Sequence, residues 1–193
     1  ASVADPSHVV VVLKQADILA RAGAVQEARA RLATVLQRCD AGPCRADLVP
    51  SIRTTLAWVI LLDPDAGAAD LQSAKQLLQV ALSSGSASLD LVERANIWTN
   101  LAYAQARCGE PFEHALLTAR QLLDGLPLEA LARAREVRSW TDLVEGLAEL
   151  IAGRDARALV ACSQASRRDS PQLEAWAAGC RARAWTNQGA WDK

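Results

Sequence analysis

Apolar positions along this chain recur every three to four residues, the spacing of one face of an α-helix. Between Asn96 and Pro127, Trp98, Leu101, Ala102 and Gln105 precede a break at Cys108-Gly109-Glu110-Pro111, and Phe112, Ala115, Ala119 and Leu122 follow it. This predicts two helices closed into a hairpin, neither of which can bury its apolar stripe alone. Upstream, Val9, Val12, Leu13, Ala16, Leu19 and Ala20 predict a helix from about Ser7, an N-cap after Pro6, to about Ala22. The run Val9–Val12 also suits a strand, but the pattern continues past it at the helical period, which favours helix. Ala28, Leu32 and Val35 mark a second helix from Val25 to about Arg38, and a loop is expected from Cys39 to Ala46.

The same pattern predicts helices at about 48–62, with Pro50 in the first turn, and at about 70–82, with Ala74, Leu78 and Ala81 inward. Ser83 to Ser88 reads as a connector between hairpins. Asp90 and Glu93 form a capping-box pattern that opens the central hairpin. Leu131, Ala134, Val137, Trp140, Val144 and Leu147 draw a continuous stripe along a long helix over 128–152. Ala158, Cys162 and Ala165 mark the next helix, and Ser170-Pro171 starts the last, with Leu173, Trp176, Ala177, Cys180 and Trp185.

The breaks repeat. Gly23, Gly67, Gly109, Gly153 and Gly189 are separated by 44, 42, 44 and 36 residues, and Trp58, Trp98, Trp140 and Trp176 each precede a turn glycine by roughly three helical turns. A near-constant period of this size marks a helical array. Composition agrees: Ala and Leu dominate, while Tyr and Phe occur once each.

On these residues the chain resembles the tetratricopeptide-repeat (TPR) family and its looser relatives. In that family a small residue lies in the first helix where the second packs closely. A glycine makes the turn, an aromatic follows two residues on, and an alanine sits three later. Ala16, Ala102, Gly146 and Ala182 each lie seven residues before their turn glycines. Ala28 and Ala158 lie five after theirs, while Ala115 and Ala74 are displaced by one and two. The second repeat departs, with Ile60 at the small position, and Val25 and Asp155 replace the aromatic after the turn. The resemblance implies an all-α fold: an α-solenoid of about five antiparallel helix hairpins in a TPR-like right-handed superhelix, one domain over 1–193. The absence of Met and the turn near Gly189 suggest a piece of a larger protein.

Net charge is −1, from 21 basic and 22 acidic residues interspersed on helix faces, which disfavours nucleic acid as a partner. The longest apolar runs are far too short to cross a bilayer, so no membrane partner is expected. Five Cys at irregular spacing do not form a disulfide framework. Cys39 and Cys44 flank a turn and suit a bridge in an oxidising compartment, but buried thiols in a reducing cytoplasm are the favoured reading.

No metal site, no cofactor loop and no catalytic constellation is expected. His8 and His114 lie far apart, and Asp142, Glu145 and Glu149 read as solvated surface charge beside Arg138. Asn96 and Asn100 share a face of a first helix, and in the TPR family such helices line the concave groove. Asn96, Asn100 and Arg107 are therefore the expected groove contacts. Asn100 matches one position of the family's carboxylate clamp, but Trp140 and Val144 occupy positions where the clamp needs cations. The implied function is non-catalytic: a protein-interaction or regulatory scaffold module of a bacterial signalling protein, cytoplasmic, binding a peptide or partner domain. A small-ligand effector sensor is the alternative, and the oligomeric state stays open.

Overall fold

The computed structural model describes residues 6–42, 44–45, 47–84, 89–165 and 171–189. Within them the chain is helical, with no strand: α1 Pro6–Arg21, α2 Val25–Ala41, α3 Val49–Leu62, α4 Ala68–Ser84, α5 Leu91–Arg107, α6 Glu113–Asp124, α7 Leu131–Ile151, α8 Asp155–Ala165 and α9 Pro171–Asn187. A short 3₁₀ turn, Leu128–Ala130, follows Pro127 and delays α7 by one turn relative to the sequence pattern. The expected caps Ser7 and Ser170 lie outside the described side chains.

Where the sequence reads as one array, contacts group the chain into two compact units, residues 1–89 and 90–193. The division falls at the end of the serine-rich connector, a tract whose short polar side chains offer almost no apolar surface to bury.

In the first unit α1 packs on α2 and α3, α2 on α3, and α3 on α4. The valine run is helical, because Val9 and Val12 are buried while Val10 and Val11 are exposed. Val9, Val12, Val35, Cys39 and Ile52 form one cluster. The favoured thiol reading of Cys39 and Cys44 is corrected here: the two are disulfide-bonded. Gly42 ends α2 in extended geometry and turns the chain back, leaving the two Cα atoms 4.8 Å apart.

In the second unit α5 packs on α6 and α7, α7 on α8 and α9, and α8 on α9. Asp90 closes the expected capping box: its Oδ1 accepts from the Glu93 N–H at 2.8 Å, and Glu93 Oε2 accepts from the Asp90 N–H at 3.0 Å. Its Oδ2 accepts from Arg133 in the first turn of α7 at 2.7 Å. Burial works against the Asp90 charge. The Glu93 N–H, the Arg133 guanidinium and the Val92 N–H outweigh it, so the carboxyl sits below its usual range.

Four glycines of the repeat, Gly23, Gly109, Gly153 and Gly189, have positive φ, and the first three close the same turn. Gly23, Gly109 and Gly153 all have φ between 70° and 86°. In each case the residue after the glycine donates to a carbonyl five residues back, as in Ala24 to Leu19, Glu110 to Gln105 and Arg154 to Glu149. These are Schellman turns, which need the left-handed conformation that glycine adopts without penalty. Gly67 is different, because its φ is not positive. There Asp63 is held extended before Pro64 (φ −71°, ψ 115°), and its carboxylate bonds the Asp65 N–H and the Gln26 side chain instead.

Contacts across neighbouring hairpins join residues one period apart. Arg29 pairs with Asp70 at a separation of 41, Thr99 with Thr141 at 42, Arg133 with Asp90 at 43, and Arg154 with Glu113 at 41. The small positions are also explained. Ala16, Ala28, Ala102 and Ala158 are 0 % exposed. A Cβ on Gly146 would lie 2.1 Å from Cys162 Sγ and 3.1 Å from its backbone N. Ala182, the corresponding residue of α9, is exposed instead, with no following helix against it among the described residues.

One substitution made twice tests this packing. Gly146→Ala drives a methyl into α8 and should cost about 2 kcal/mol net of helix propensity, whereas Gly179→Ala meets nothing within 4 Å and should gain up to about 1 kcal/mol. Denaturant melts giving the same sign for both would contradict the packing account.

A second test uses pH. Because the folded carboxyl of Asp90 is depressed, its contribution is present above the unfolded value near 3.9 and is lost as pH falls through the lower folded value. Asp90→Ala should therefore cost about 1 kcal/mol at pH 7, a gap that closes below about pH 4. A gap independent of pH would show that the charge is irrelevant.

Candidate functional site

The three expected groove residues lie on α5, and the structure separates them. Asn100 is only 3 % exposed, and its Oδ1 accepts from Trp140 Nε1 of α7 at 2.8 Å. It is an internal bond between neighbouring first helices. Asn96, one turn earlier, and Arg107, at the end of α5, are half-buried. One residue before Asn100, the Thr99 hydroxyl meets the Thr141 hydroxyl at 2.9 Å, and each also bonds the carbonyl four residues back in its own helix. Two hydroxyl protons fill only two of these three contacts, so a hydroxyl that donates to the other gives up the bond to its own carbonyl. Trp140 in turn packs on Trp176 of α9, with ring centroids 5.9 Å apart.

Arg107 takes its place in a cluster the sequence did not suggest. The Tyr103 phenol is pushed up from its usual value by burial, against the opposing pull of the positive charges on Arg107 and Arg183. Tyr103 and Arg107 are four apart on α5, and the charge of Arg183, exposed on α9, also acts on the phenol. The first-helix side of this unit thus offers a phenol and two guanidiniums, which suits an anionic group.

A second feature lies on the other side of α7. An open groove of about 590 Å³ is lined by Arg120 of α6, Glu145 and Glu149 of α7, and Arg157, Val160 and Gln164 of α8. The carboxylates there are not solvated surface charge, as their spacing suggested. Glu149 is 5 % exposed and accepts from Arg154 Nε, while Arg154 also reaches Glu113 at 2.9 Å and lies over the Phe112 ring. Glu145 accepts both terminal nitrogens of Arg120, which also reaches Asp142 at 3.4 Å. Burial disfavours the Arg120 charge, but these two carboxylates hold it ionised. Arg138, expected beside them, instead bonds Asp124 and the Leu123 carbonyl of α6. Sequence spacing put these acids on one face of α7. It did not show that α6 and the α7–α8 turn deliver arginines to them.

The histidines stay apart from both features. His8 is exposed on α1, and His114 sits edge-on to Trp98 at 6.2 Å. Among the described residues no group of His, Cys, Asp and Glu is arranged to hold a metal ion, and no helix is long and apolar enough to cross a membrane. Comparison with protein-family models, curated proteins and solved structures finds no match to this chain.

The Asn100–Trp140 bond can be measured directly. Asn100→Ala strands a buried indole N–H and should cost about 2 kcal/mol, and a double-mutant cycle with Trp140→Phe should return a coupling of about 1 kcal/mol. Additive single effects in denaturant unfolding would mean that the bond contributes nothing to the fold.

Proposed function

We propose that each unit is a short run of stacked TPR-like hairpins with the local geometry of a right-handed α-solenoid. The chain acts without catalysis, as a protein-interaction or regulatory module of a larger signalling protein. The observation that carries this reading is the set of contacts one period apart, each joining equivalent parts of successive hairpins. A stack of this kind holds its first helices side by side, so side chains from several repeats address one ligand. In the second unit Asn96, Tyr103 and Arg107 of α5 and Arg183 of α9 form that surface, and an acidic peptide segment is the partner their chemistry suits. Asn100 holds the wall together from inside.

A small-ligand effector is the second reading, favoured by the volume of the α6–α7–α8 groove, which lies in the range of small-molecule sites.

Fluorescence anisotropy with acidic, neutral and basic peptides, run beside thermal shifts with a metabolite panel, separates the two. Peptide binding predicts a preference for acidic sequences, weakened about tenfold or more by Arg107→Glu or Arg183→Glu and unaffected by Arg31→Glu in the first unit. A metabolite shift abolished by Arg157→Glu would move the function to the groove. Binding insensitive to all three arginines of the second unit would defeat both.

A further inference from the structure

α9, the last described helix of the second unit, meets α8 through little apolar surface, although its Trp176 packs on Trp140 of α7. α9 buries Leu173, Ala177, Cys180 and Ala184, and the α8 face it meets buries mainly alanine. Alanine methyls contribute far less transfer free energy than leucine or isoleucine side chains. Cys180 of α9 is disulfide-bonded to Cys162 of α8, eighteen residues earlier, and the two residues are 3 % and 0 % exposed. The space for this bridge is built in from a third helix, because Gly146 of α7 lies under Cys162 Sγ where any Cβ would collide. Three helices therefore meet at one cystine. Polar ties from α9 to α8 include Arg181, which donates to the Cys162 carbonyl at 3.3 Å, and Asn187, which donates to Asp155 at 2.9 Å.

We propose that the Cys162–Cys180 disulfide is a redox clasp that pins α9 onto α7 and α8, and that its reduction releases α9 and uncovers the Trp140 side of α7. The reductant is a dithiol. One thiolate attacks a cystine sulfur to give a mixed disulfide, and the second displaces the protein thiolate. Two electrons and two protons pass to Cys162 and Cys180, and the dithiol leaves as a cyclic disulfide. The first unit also carries a bridge, from the end of α2 to the residues before α3, whereas Cys162–Cys180 joins α8 directly to α9. One cystine in each unit marks a chain that folds where disulfides persist, rather than in the reducing cytoplasm that the sequence alone favours. The Cys162–Cys180 loop is the longer of the two, so its closure removes more freedom from the opened state. This inference is independent of what the first-helix surface binds.

The test uses the full chain, exported to an oxidising compartment and purified without reductant. Alkylation of the unfolded protein followed by mass spectrometry should find one modified cysteine, Cys108; five would overturn the proposal. In Cys39→Ala/Cys44→Ala, dithiothreitol should then expose Cys162 and Cys180 and raise amide exchange across α9 by tenfold or more, with α5 unchanged. Cys162→Ala/Cys180→Ala should show the same α9 exchange without reductant. Unaltered α9 protection in either case would overturn the clasp, and so would a cystine that the dithiol cannot open or a loss of protection that spreads to α5.

Discussion

How closely two helical backbones can approach governs this fold. In three hairpins the residues where the second helix crosses its first are glycine or alanine: Ala16 and Ala28 in the first, Ala102 and Ala115 in the third, Gly146 and Ala158 in the fourth, while the second has Ala74 with the larger Ile60. The choice has a cost, since each buried methyl brings less transfer free energy than a leucine would. Larger side chains offset it at fully buried positions in each hairpin, including Leu32, Ile52, Leu61, Leu78, Leu123 and Leu143. Close approach and sparse anchors belong together, because helices this near leave room for few large side chains.

An interface of small apolar residues specifies register weakly, since a shift by one turn still pairs alanine with alanine. Directional bonds supply what packing does not. In the second unit Asn100 to Trp140 and Thr99 to Thr141 are buried bonds between adjacent first helices, and each can form at only one register. Breaking register would leave an indole N–H and an amide carbonyl buried without partners, at a cost of about 1–3 kcal/mol per group. That asymmetry makes a buried polar pair a register device even when its net contribution is small. Asp90 plays the matching part at the helix starts, capping α5 while holding Arg133 of α7.

The sequence displays what depends on one helix at a time. Schellman glycines, the capping box at Asp90 and Glu93, and the stripe along α7 are local rules, and all are legible from spacing. What depends on which helix arrives opposite is not. Asn100 has the composition of a groove contact, yet Trp140 takes its carbonyl. Glu149 has the spacing of surface charge, yet the α7–α8 turn brings Arg154 onto it and buries it. Cys162 and Cys180 lie on separate helices with no shared local pattern, so only the folding of α9 back against α8 brings their sulfurs together. Gly67 shows the converse: its spacing fits the series, but a proline-guided turn at Asp63 does the work that φ > 0 does elsewhere.

The two candidate surfaces of the second unit differ in the balance of charge they present. In the α6–α7–α8 groove Arg120 is matched by Glu145 and Asp142, and the neighbouring Arg154 by Glu149 and Glu113. A charged ligand entering there competes with pairs already formed, and any buried group it strands subtracts from the affinity it gains. Those pairs read more naturally as ties that fix α6 and the α7–α8 turn against α7. Around Tyr103 the charges of Arg107 and Arg183 act together on a half-buried phenol, so the local field there is positive. That balance suits the first-helix surface to an anionic group and leaves the groove as part of the frame that keeps those helices aligned.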